Sequence, residues 1–308
     1  MTLSGLYVPL ITPFDSDGTV ALDALEALAH RLLDAGATGL VALGTTAEPT
    51  VLSAPERHAV LDVIARVCGS RGAQLVVGAE SPQGLAELRD RPEVVAAQIP
   101  VPAFVRPGED GVVAYFTHLA SISPVPLVIY HIPYRTGQAL SPACLRRLAG
   151  IPGVIAFKYA AGGIDADTIE LLADPRPGFA IMGGDDVVVS PLLALGASGA
   201  ILASAHLATS DFVALINAWR SGDVARARAL GHRLAAMSAR LFAEPNPTVI
   251  KAVLYAEGLI PTPAVRLPLV AASPASVEAA LASVAGHTHS TDVEGSPHVP
   301  SSEVPSMR

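Results

Sequence analysis

A lysine that follows an apolar run is the first residue of this sequence that could do chemistry. Residues 154–157 have the length and composition of a buried parallel strand, and Lys158 comes directly after them, before a turn of small residues. A lysine in this place either extends its ammonium group to solvent or is held there for reaction. An amine that is partly removed from water has a lowered pKa and attacks carbonyl carbons. On this segment alone both interpretations stay open.

Two other predicted strands also end in polar side chains. Thr45 and Thr46 follow Gly44 after the second strand, where their hydroxyl groups and the backbone N–H groups suit a small carboxylate or phosphate. Tyr130 ends the fifth strand and can move protons, whereas Arg135, a little beyond it, can bind a carboxylate through two N–H groups. The alternatives are an ordinary turn, a core tyrosine and a solvated loop charge.

Aspartates and histidines raise the question of a metal site. Asp185 and Asp186 follow a pair of glycines after the seventh strand, but no third ligand stands near them, and they equally cap the next helix. Three histidines near the C-terminus have a spacing that fits no known metal site: His287, His289 and His298. We therefore expect no metal ion and no other cofactor.

The elements that must position these side chains alternate along the chain. Eight short apolar runs, with helical patterns between them, favour a (β/α)8 barrel over an open sheet. In such a barrel the reactive groups lie at the carboxyl ends of the strands. The absence of a GxGxxG pattern after the first strand argues against a dinucleotide-binding fold. One helix has a clear start, because Ser53 and Glu56 have the spacing of a capping box.

The chain continues past the eighth predicted strand. Residues 1–207 are predicted to form the barrel, and residues 208–285 contain further helical patterns that suggest a C-terminal helical subdomain. Residues 286–308 are polar, contain prolines and have no periodicity, so we expect a disordered tail there.

Composition limits the class of protein. With 308 residues, 51% of them hydrophobic and 16% charged, the chain can build one large domain. A net charge of −8 argues against nucleic acid or an anionic membrane as a partner. No apolar run is long enough to span a bilayer, and the first residues lack the basic segment of a signal peptide. We therefore expect a cytoplasmic protein.

Taken together, these patterns resemble the dihydrodipicolinate synthase / N-acetylneuraminate lyase family of class I aldolases. The resemblance covers about residues 3–285, and the Arg-Thr-Gly that begins at Arg135 is similar to the synthase branch. It rests on the following segments: GTTAE at 44–48, YHIPYRTG at 130–137, Lys158, GGDD at 183–186, GASGAILA at 196–203, EPNP at 244–247 and RLPL at 266–269.

The resemblance implies a barrel that handles pyruvate. Lys158 matches the lysine that forms a Schiff base with the keto carbon of pyruvate, and Tyr130 matches the tyrosine that relays protons to and from that adduct. Thr45 matches a hydroxyl group of the relay. Thr46 matches a hydroxyl group that holds the pyruvate carboxylate. A protonated imine accepts electrons without a metal ion, so this chemistry is consistent with the lack of a predicted cofactor.

Further positions are assigned to the substrates by the same resemblance. Arg135 matches the arginine that binds the carboxylate of aspartate semialdehyde, and Gly183 and Ile201 complete the expected substrate-binding set. The leading prediction is therefore a 4-hydroxy-tetrahydrodipicolinate synthase-like condensation of pyruvate with a carboxylated aldehyde. The alternatives are a 2-keto-3-deoxy sugar acid aldolase, or a related dehydratase or deaminase, and a non-catalytic scaffold. The family also implies a homo-oligomer, either a dimer or a tetramer.

Several positions depart from the synthase pattern, and those at 103 and 104 bear on the proton relay. Ala103 and Phe104 stand where the family usually has a pair of tyrosines, so the tyrosine that one subunit lends to the proton relay of another is missing. Phe104 keeps the ring and lacks the hydroxyl group. We consider Tyr134 and Tyr159 as replacements for that hydroxyl group.

Overall fold

A closed barrel of parallel strands forms the centre of the computed structural model, which describes residues 2–79 and 81–288. Each strand pairs with its neighbour in the sequence, and the last strand pairs with the first, as predicted for a (β/α)8 barrel. The strands are β1 (Gly5–Pro9), β2 (Gly39–Ala42), β3 (Gln74–Gly78), β4 (Val94–Pro100), β5 (Leu127–His131), β6 (Val154–Tyr159), β7 (Ala180–Gly183) and β8 (Gly199–Ile201).

Helices occupy the connections between the strands and continue after the barrel. The connection between β3 and β4 holds only a short helix of five residues. The helices are α1 (Leu22–Asp34), α2 (Ala54–Arg71), α3 (Pro82–Ala86), α4 (Gly108–Ile122), α5 (Pro133–Thr136), α6 (Pro142–Ala149), α7 (Ala166–Ala173), α8 (Val189–Ala194), α9 (Ala205–Ser221), α10 (Val224–Leu241), α11 (Thr248–Ala256) and α12 (Pro274–Thr288).

Alternation along the strands divides the core into two layers. One set of side chains fills the inside of the barrel, and the other set packs between the strands and the surrounding helices. The inner set comprises Leu3, Tyr7, Val41, Val76, Ala96, Val128, Ala156, Ala180, Met182 and Ile201. Because alternate residues share a face, the inward positions of Val128 and Ala156 also direct Tyr130 and Lys158 inward, one layer closer to the carboxyl ends.

The connection from β2 to α2 is a compact turn. Residues Thr45–Ala47 and Pro49–Val51 form two short 3₁₀ turns, and Glu48 between them has the left-handed backbone conformation, with φ 56°. Helix α2 then begins with the predicted capping box. The Ser53 hydroxyl accepts from the Glu56 N–H, and the Glu56 carboxylate accepts from the Ser53 N–H.

The helices after β8 pack against the barrel and against one another. Helix α9 contacts β1, α8 and α10, while α11 and α12 pack against each other. The predicted boundary between residues 207 and 208 lies inside α9, which has a non-helical backbone at Ala208. The division of the chain at this point stays a prediction. Of the predicted tail, residues 289–308 lie outside the described residues.

Two further observations concern the described residues alone. Cys68 and Cys144 are free and buried. In residues 2–79 and 81–288, no helix has both the length and the apolar character that a bilayer crossing requires.

Candidate active site

A cavity of about 550 Å³ opens at the carboxyl ends of the barrel strands. Its walls come from the segments that follow several strands, and residues 242–246, after α10, close one side. Six of the seven predicted site residues line it: Thr45, Thr46, Tyr130, Arg135, Lys158 and Ile201. The fold therefore brings together side chains that the sequence separates widely.

Lys158 and Tyr130 form the base of this cavity. They are direct partners in the pairing of β5 with β6, so both side chains rise from the same layer of the barrel. The Nζ atom of Lys158 lies 4.3 Å from the centroid of the Tyr130 ring, and only 6% of Lys158 is exposed. This distance is typical of a cation–π contact.

The surroundings of Lys158 make its neutral form more accessible than that of an ordinary exposed lysine. Burial lowers the pKa of the Lys158 ammonium group because desolvation penalises its charge, whereas the Asp186 carboxylate opposes this shift and the Arg135 guanidinium adds to it. Burial likewise raises the pKa of Tyr130, so its phenol stays protonated at neutral pH. A neutral amine beside a protonated phenol is the arrangement that carbonyl attack with proton transfer requires.

Thr46 is the buried member of the threonine pair. Its hydroxyl oxygen accepts a hydrogen bond of 2.9 Å from the side-chain amide of Asn246. Because that bond uses the oxygen as an acceptor, the hydroxyl proton remains for a partner in the cavity. Thr45, its neighbour, is exposed to the cavity mouth.

Arg135 lies at the rim, in the single turn of α5. Its Nε–H donates to the hydroxyl oxygen of Tyr134 at 2.7 Å, and its guanidinium carbon lies 5.1 Å from the centroid of the Tyr134 ring. This contact fixes the guanidinium plane through one of its five N–H groups. The cavity thus has a second cation, nearer to solvent than Lys158.

Gly183 was predicted to contact the substrate, and the structure places it at the end of β7, outside the residues that line the cavity. A Cβ atom at Gly183 would point out of the barrel, 3.0 Å from Val189 and 3.2 Å from Leu192 on α8. A Cβ atom at Gly184 would instead lie 2.7 Å from Cγ of Lys158. Gly184 is therefore the glycine that lines the cavity, and its missing side chain leaves room for Lys158.

Tyr159 was one of two candidates to supply a hydroxyl group, and the structure places it on the wrong side. Its ring packs against His131 outside the barrel, with 5.5 Å between the centroids. Its hydroxyl group is bonded to that of Thr168 on α7, at 3.0 Å. The reason is the alternation of β6, since Lys158 faces inward and its neighbour must face outward.

Two residues of the cavity were missed as site residues. Asp186 was interpreted as a helix cap or metal ligand, but it is buried beside Lys158 and accepts the Ser204 N–H at 2.6 Å. Burial raises the pKa of Asp186, and the charge of Lys158 opposes that shift. Asn246 was noted only within the EPNP segment. Its contact with Thr46 spans 200 positions of the chain, so the segment marked Asn246 without showing what it contacts.

Comparison with known proteins shows which family has this sequence and this site. Residues 2–284 match the sequence model described as the dihydrodipicolinate synthetase family. The chain belongs to this family. The expected resemblance is thereby confirmed over nearly the whole chain, and membership makes the protein an enzyme of the lyase type.

Relatives and structures of this family are similar to the chain over most of its length. A 4-hydroxy-tetrahydrodipicolinate synthase of Synechococcus elongatus is 36% identical, over 89% of this chain and 92% of its own. The enzyme of the same name from Moorella thermoacetica is 35% identical, over 87% of this chain and 92% of its own. A dihydrodipicolinate synthase of Acinetobacter baumannii, crystallised with pyruvate, is 30% identical and superposes with a TM-score of 0.85. The match covers 92% of this chain and 99% of that one.

Possible metal ligands do not cluster in the part of the chain that the structure describes. Among the described residues, no cluster of three or more histidine, cysteine, aspartate or glutamate side chains could hold a metal ion. Burial lowers the pKa of His131 to about 4, so its imidazole is neutral and packs as a core side chain. The expectation that the enzyme uses no cofactor stays a prediction.

Proposed function

We propose that this family member is a pyruvate-dependent lyase that forms a Schiff base at Lys158. Its proposed reaction is the condensation of pyruvate with a carboxylated aldehyde, and aspartate semialdehyde is the first candidate. The observation that carries this proposal is a buried lysine with a lowered pKa, at the base of an open cavity and in contact with Tyr130. The names of the synthases that resemble the chain support the same reaction.

The first half of the reaction builds the imine. Lys158 in its neutral form attacks the keto carbon of pyruvate, and the resulting hydroxyl group leaves as water after it takes up a proton. Tyr130 is assigned as the group that gives and receives these protons, because its phenol stays protonated in this buried position. The product is an iminium ion in which the lysine nitrogen carries the positive charge.

The second half forms the carbon–carbon bond. Tyr130, which gave a proton to the departing water, takes one from the methyl group of the adduct, and the electron pair of that C–H bond moves toward the iminium nitrogen to give a neutral enamine. The enamine carbon then attacks the aldehyde carbon, whose oxygen takes up a proton. Hydrolysis of the restored iminium releases the product and returns Lys158 to its amine form.

The remaining cavity residues are assigned to the two carboxylates. Thr46, with its hydroxyl proton left free by Asn246, holds the carboxylate of pyruvate together with N–H groups of the turn. Thr45 takes part in proton transfer. Arg135 binds the carboxylate of the aldehyde at the rim, while Gly184 and Ile201 shape the space around the adduct.

Tyr134 is the residue that we assign to the hydroxyl group missing at Phe104. It lines the same cavity as Tyr130, and the bond from Arg135 fixes the position of its oxygen. Tyr159 is unsuited to this role because its hydroxyl group lies on the outer side of β6, bonded to Thr168.

A self-associating form is also proposed. Phe104 and Val105 are 98% and 82% exposed, and Phe104 has a positive φ of 61° that a bulky residue rarely adopts. An exposed apolar tip of this kind suits contact with a second copy, as a dimer or a tetramer. The cytoplasmic location and the lack of a nucleic acid partner stay predictions.

Turnover with defined aldehydes tests the proposed function. We expect the enzyme to consume pyruvate with aspartate semialdehyde, and R135A to lose about 100-fold or more of that rate while imine formation with pyruvate is retained. Faster cleavage of a 2-keto-3-deoxy sugar acid would favour the first alternative. Binding of pyruvate without turnover of any aldehyde would favour the scaffold.

A further inference from the structure

The sequence contains only two lysines, and the second one has no part in the proposed reaction. Lys251 lies on α11 and is completely buried, with 0% of its side chain exposed. Its Nζ atom donates to Oε1 of Glu48 at 2.8 Å, and the Glu48 side chain is 2% exposed. A buried charge pair is costly to form because both charges lose their water, so we consider what this pair holds in place.

Glu48 is the residue that ends the threonine turn. It follows Thr45–Ala47 directly and has a left-handed backbone, which is uncommon for a residue with a side chain. Both of its carboxylate oxygens are bonded, because Oε2 accepts the Arg266 N–H at 2.8 Å while Oε1 accepts from Lys251. The end of the turn is therefore attached to two separate parts of the C-terminal segment.

The ring of Phe14, from the connection after β1, lies against both cations of this cluster. Nζ of Lys251 is 4.1 Å from its centroid, and the guanidinium carbon of Arg266 is 4.4 Å from it. Arg266 also donates to both carboxylate oxygens of Glu56 on α2, at 2.9 and 2.5 Å. The connections after β1 and β2 are thus held together by residues from beyond the barrel.

The turn has two further attachments close to the cavity. Asn246 donates to the hydroxyl oxygen of Thr46, and the Thr12 hydroxyl donates to the carbonyl oxygen of Ala47 at 2.8 Å. Asn246 and Lys251 belong to the same short stretch of chain, around the start of α11. One stretch therefore contacts the turn twice, at Thr46 in the cavity and at Glu48 in the core.

We infer that the stretch from Asn246 to Lys251 positions the turn that receives the pyruvate carboxylate, with Lys251 and Glu48 as positioning residues. This inference rests on the proposed function in assigning pyruvate to the cavity. Lys251 sets the location of Glu48, which ends the turn, and Asn246 orients the hydroxyl group of Thr46 within it. The C-terminal helices are by this account part of the active site and not an addition to a finished barrel.

The experiment compares K251M with W219F. Methionine keeps most of the apolar volume of Lys251 and removes the ammonium group. W219F serves as the matched control, because it removes a hydrogen bond of 3.0 Å between Trp219 and Ser190, both of which lie outside the cavity lining. The double variant E48Q/K251M removes both charges and replaces K251M if the single variant does not fold.

Two readouts separate this inference from the proposed function. Hydrogen exchange of residues 44–51 reports the turn without any substrate, and we expect at least tenfold faster exchange there in K251M than in wild type. Borohydride trapping measures how much enzyme has formed an imine with pyruvate. We expect K251M to need at least tenfold more pyruvate than wild type for half-maximal adduct, and to reach the same amount of adduct at saturation. W219F is expected to lower the melting temperature and change neither readout.

The outcomes are distinct for the two claims. If hydrogen exchange of the turn is unchanged in folded K251M, or in the folded double variant, the inference is overturned, whatever the result of pyruvate trapping. An equal change in W219F overturns it as well, since the effect would then follow from lost stability. If wild type traps no pyruvate, the proposed function fails, and faster exchange of the turn in K251M would still support the positioning role.

Discussion

Lys158 and Lys251 are both buried, and burial lowers the pKa of both ammonium groups. They differ in what they face. Lys251 is bonded to the Glu48 carboxylate and is closed off from solvent, whereas Lys158 lies beside Tyr130 at the base of an open cavity. Reactivity at the residue scale therefore follows from the access of Lys158 to an open cavity more than from its lowered pKa, which Lys251 shares.

The pH dependence of imine formation is the first prediction at this scale. Only the neutral amine attacks, so the rate rises with pH through the pKa of Lys158, which lies below the usual lysine value of about 10.4. The Asp186 charge raises that pKa, so D186N is expected to shift the pH profile of imine formation to lower pH by about one unit. Asparagine retains an oxygen to accept the Ser204 N–H.

Stopped-flow measurement of imine formation against pH would check this expectation. R146Q, which removes a surface ion pair with Glu170, is the control and should leave the profile in place. A profile for D186N that stays unchanged or moves to higher pH would contradict the electrostatic role of Asp186.

The two tyrosine candidates for the missing hydroxyl group give the second prediction. Y134F should lower turnover about tenfold or more, because it removes a cavity hydroxyl that we assign to proton transfer. Y159F should keep its turnover and lose about 1 kcal/mol of stability, because its buried bond to Thr168 is lost. Steady-state rates and thermal unfolding of both variants decide the matter. Equal turnover in Y134F and wild type would remove Tyr134 from the relay.

At the scale of elements, the two-residue period of a strand determines which side chains face into the barrel and which face the helices. A lysine facing into the barrel on β6 obliges the next residue to face out, so the position of Tyr159 follows from the sequence once Lys158 is assigned. The same argument does not determine from the sequence which glycine at the end of β7 faces the cavity. Ile181 and Met182 are both apolar, and only the structure shows that Met182 faces the axis.

The glycines after β7 give the third prediction. In G184A the new methyl group would lie 2.7 Å from Cγ and 3.0 Å from Cε of Lys158, so borohydride trapping of pyruvate should fall at least about tenfold. In G183A the methyl group meets α8, and we expect about 1–3 kcal/mol of lost stability with trapping retained.

G163A is the matched control for both variants, because a Cβ atom there meets nothing within 4 Å. Trapping and the free energy of unfolding should both be close to wild type in this variant. The reverse pattern, in which G183A loses trapping and G184A does not, would contradict the expectation that Gly184 and not Gly183 contacts the adduct.

At the scale of the whole molecule, the barrel was predictable and part of its active site was not. Regular spacing of apolar runs determines the order of the strands, and strand order places Thr45, Tyr130 and Lys158 at one end. Asn246 and Lys251 reach the threonine turn from beyond the barrel, across 200 and 203 positions. Such contacts depend on how helices pack, and no local pattern encodes that.

Self-association is the prediction that belongs to this scale. We expect the wild-type protein to form a dimer or a tetramer, and F104E/V105E to dissociate it, because charges would replace two side chains that are 98% and 82% exposed. Sedimentation velocity at micromolar concentration measures the result. A monomeric wild type, or a double variant with the same mass as wild type, would contradict the proposed surface.

The central claim is that Lys158 forms a Schiff base with pyruvate, and one measurement tests it most directly. Intact mass would be recorded after incubation with pyruvate and borohydride for wild type, K158A and K251M. Because the chain has only these two lysines, the adduct can be assigned without ambiguity between side chains. We predict one reduced pyruvate on wild type and, at saturating pyruvate, on K251M, and none on K158A. No adduct on folded wild type, or an adduct that persists in K158A, would contradict the account.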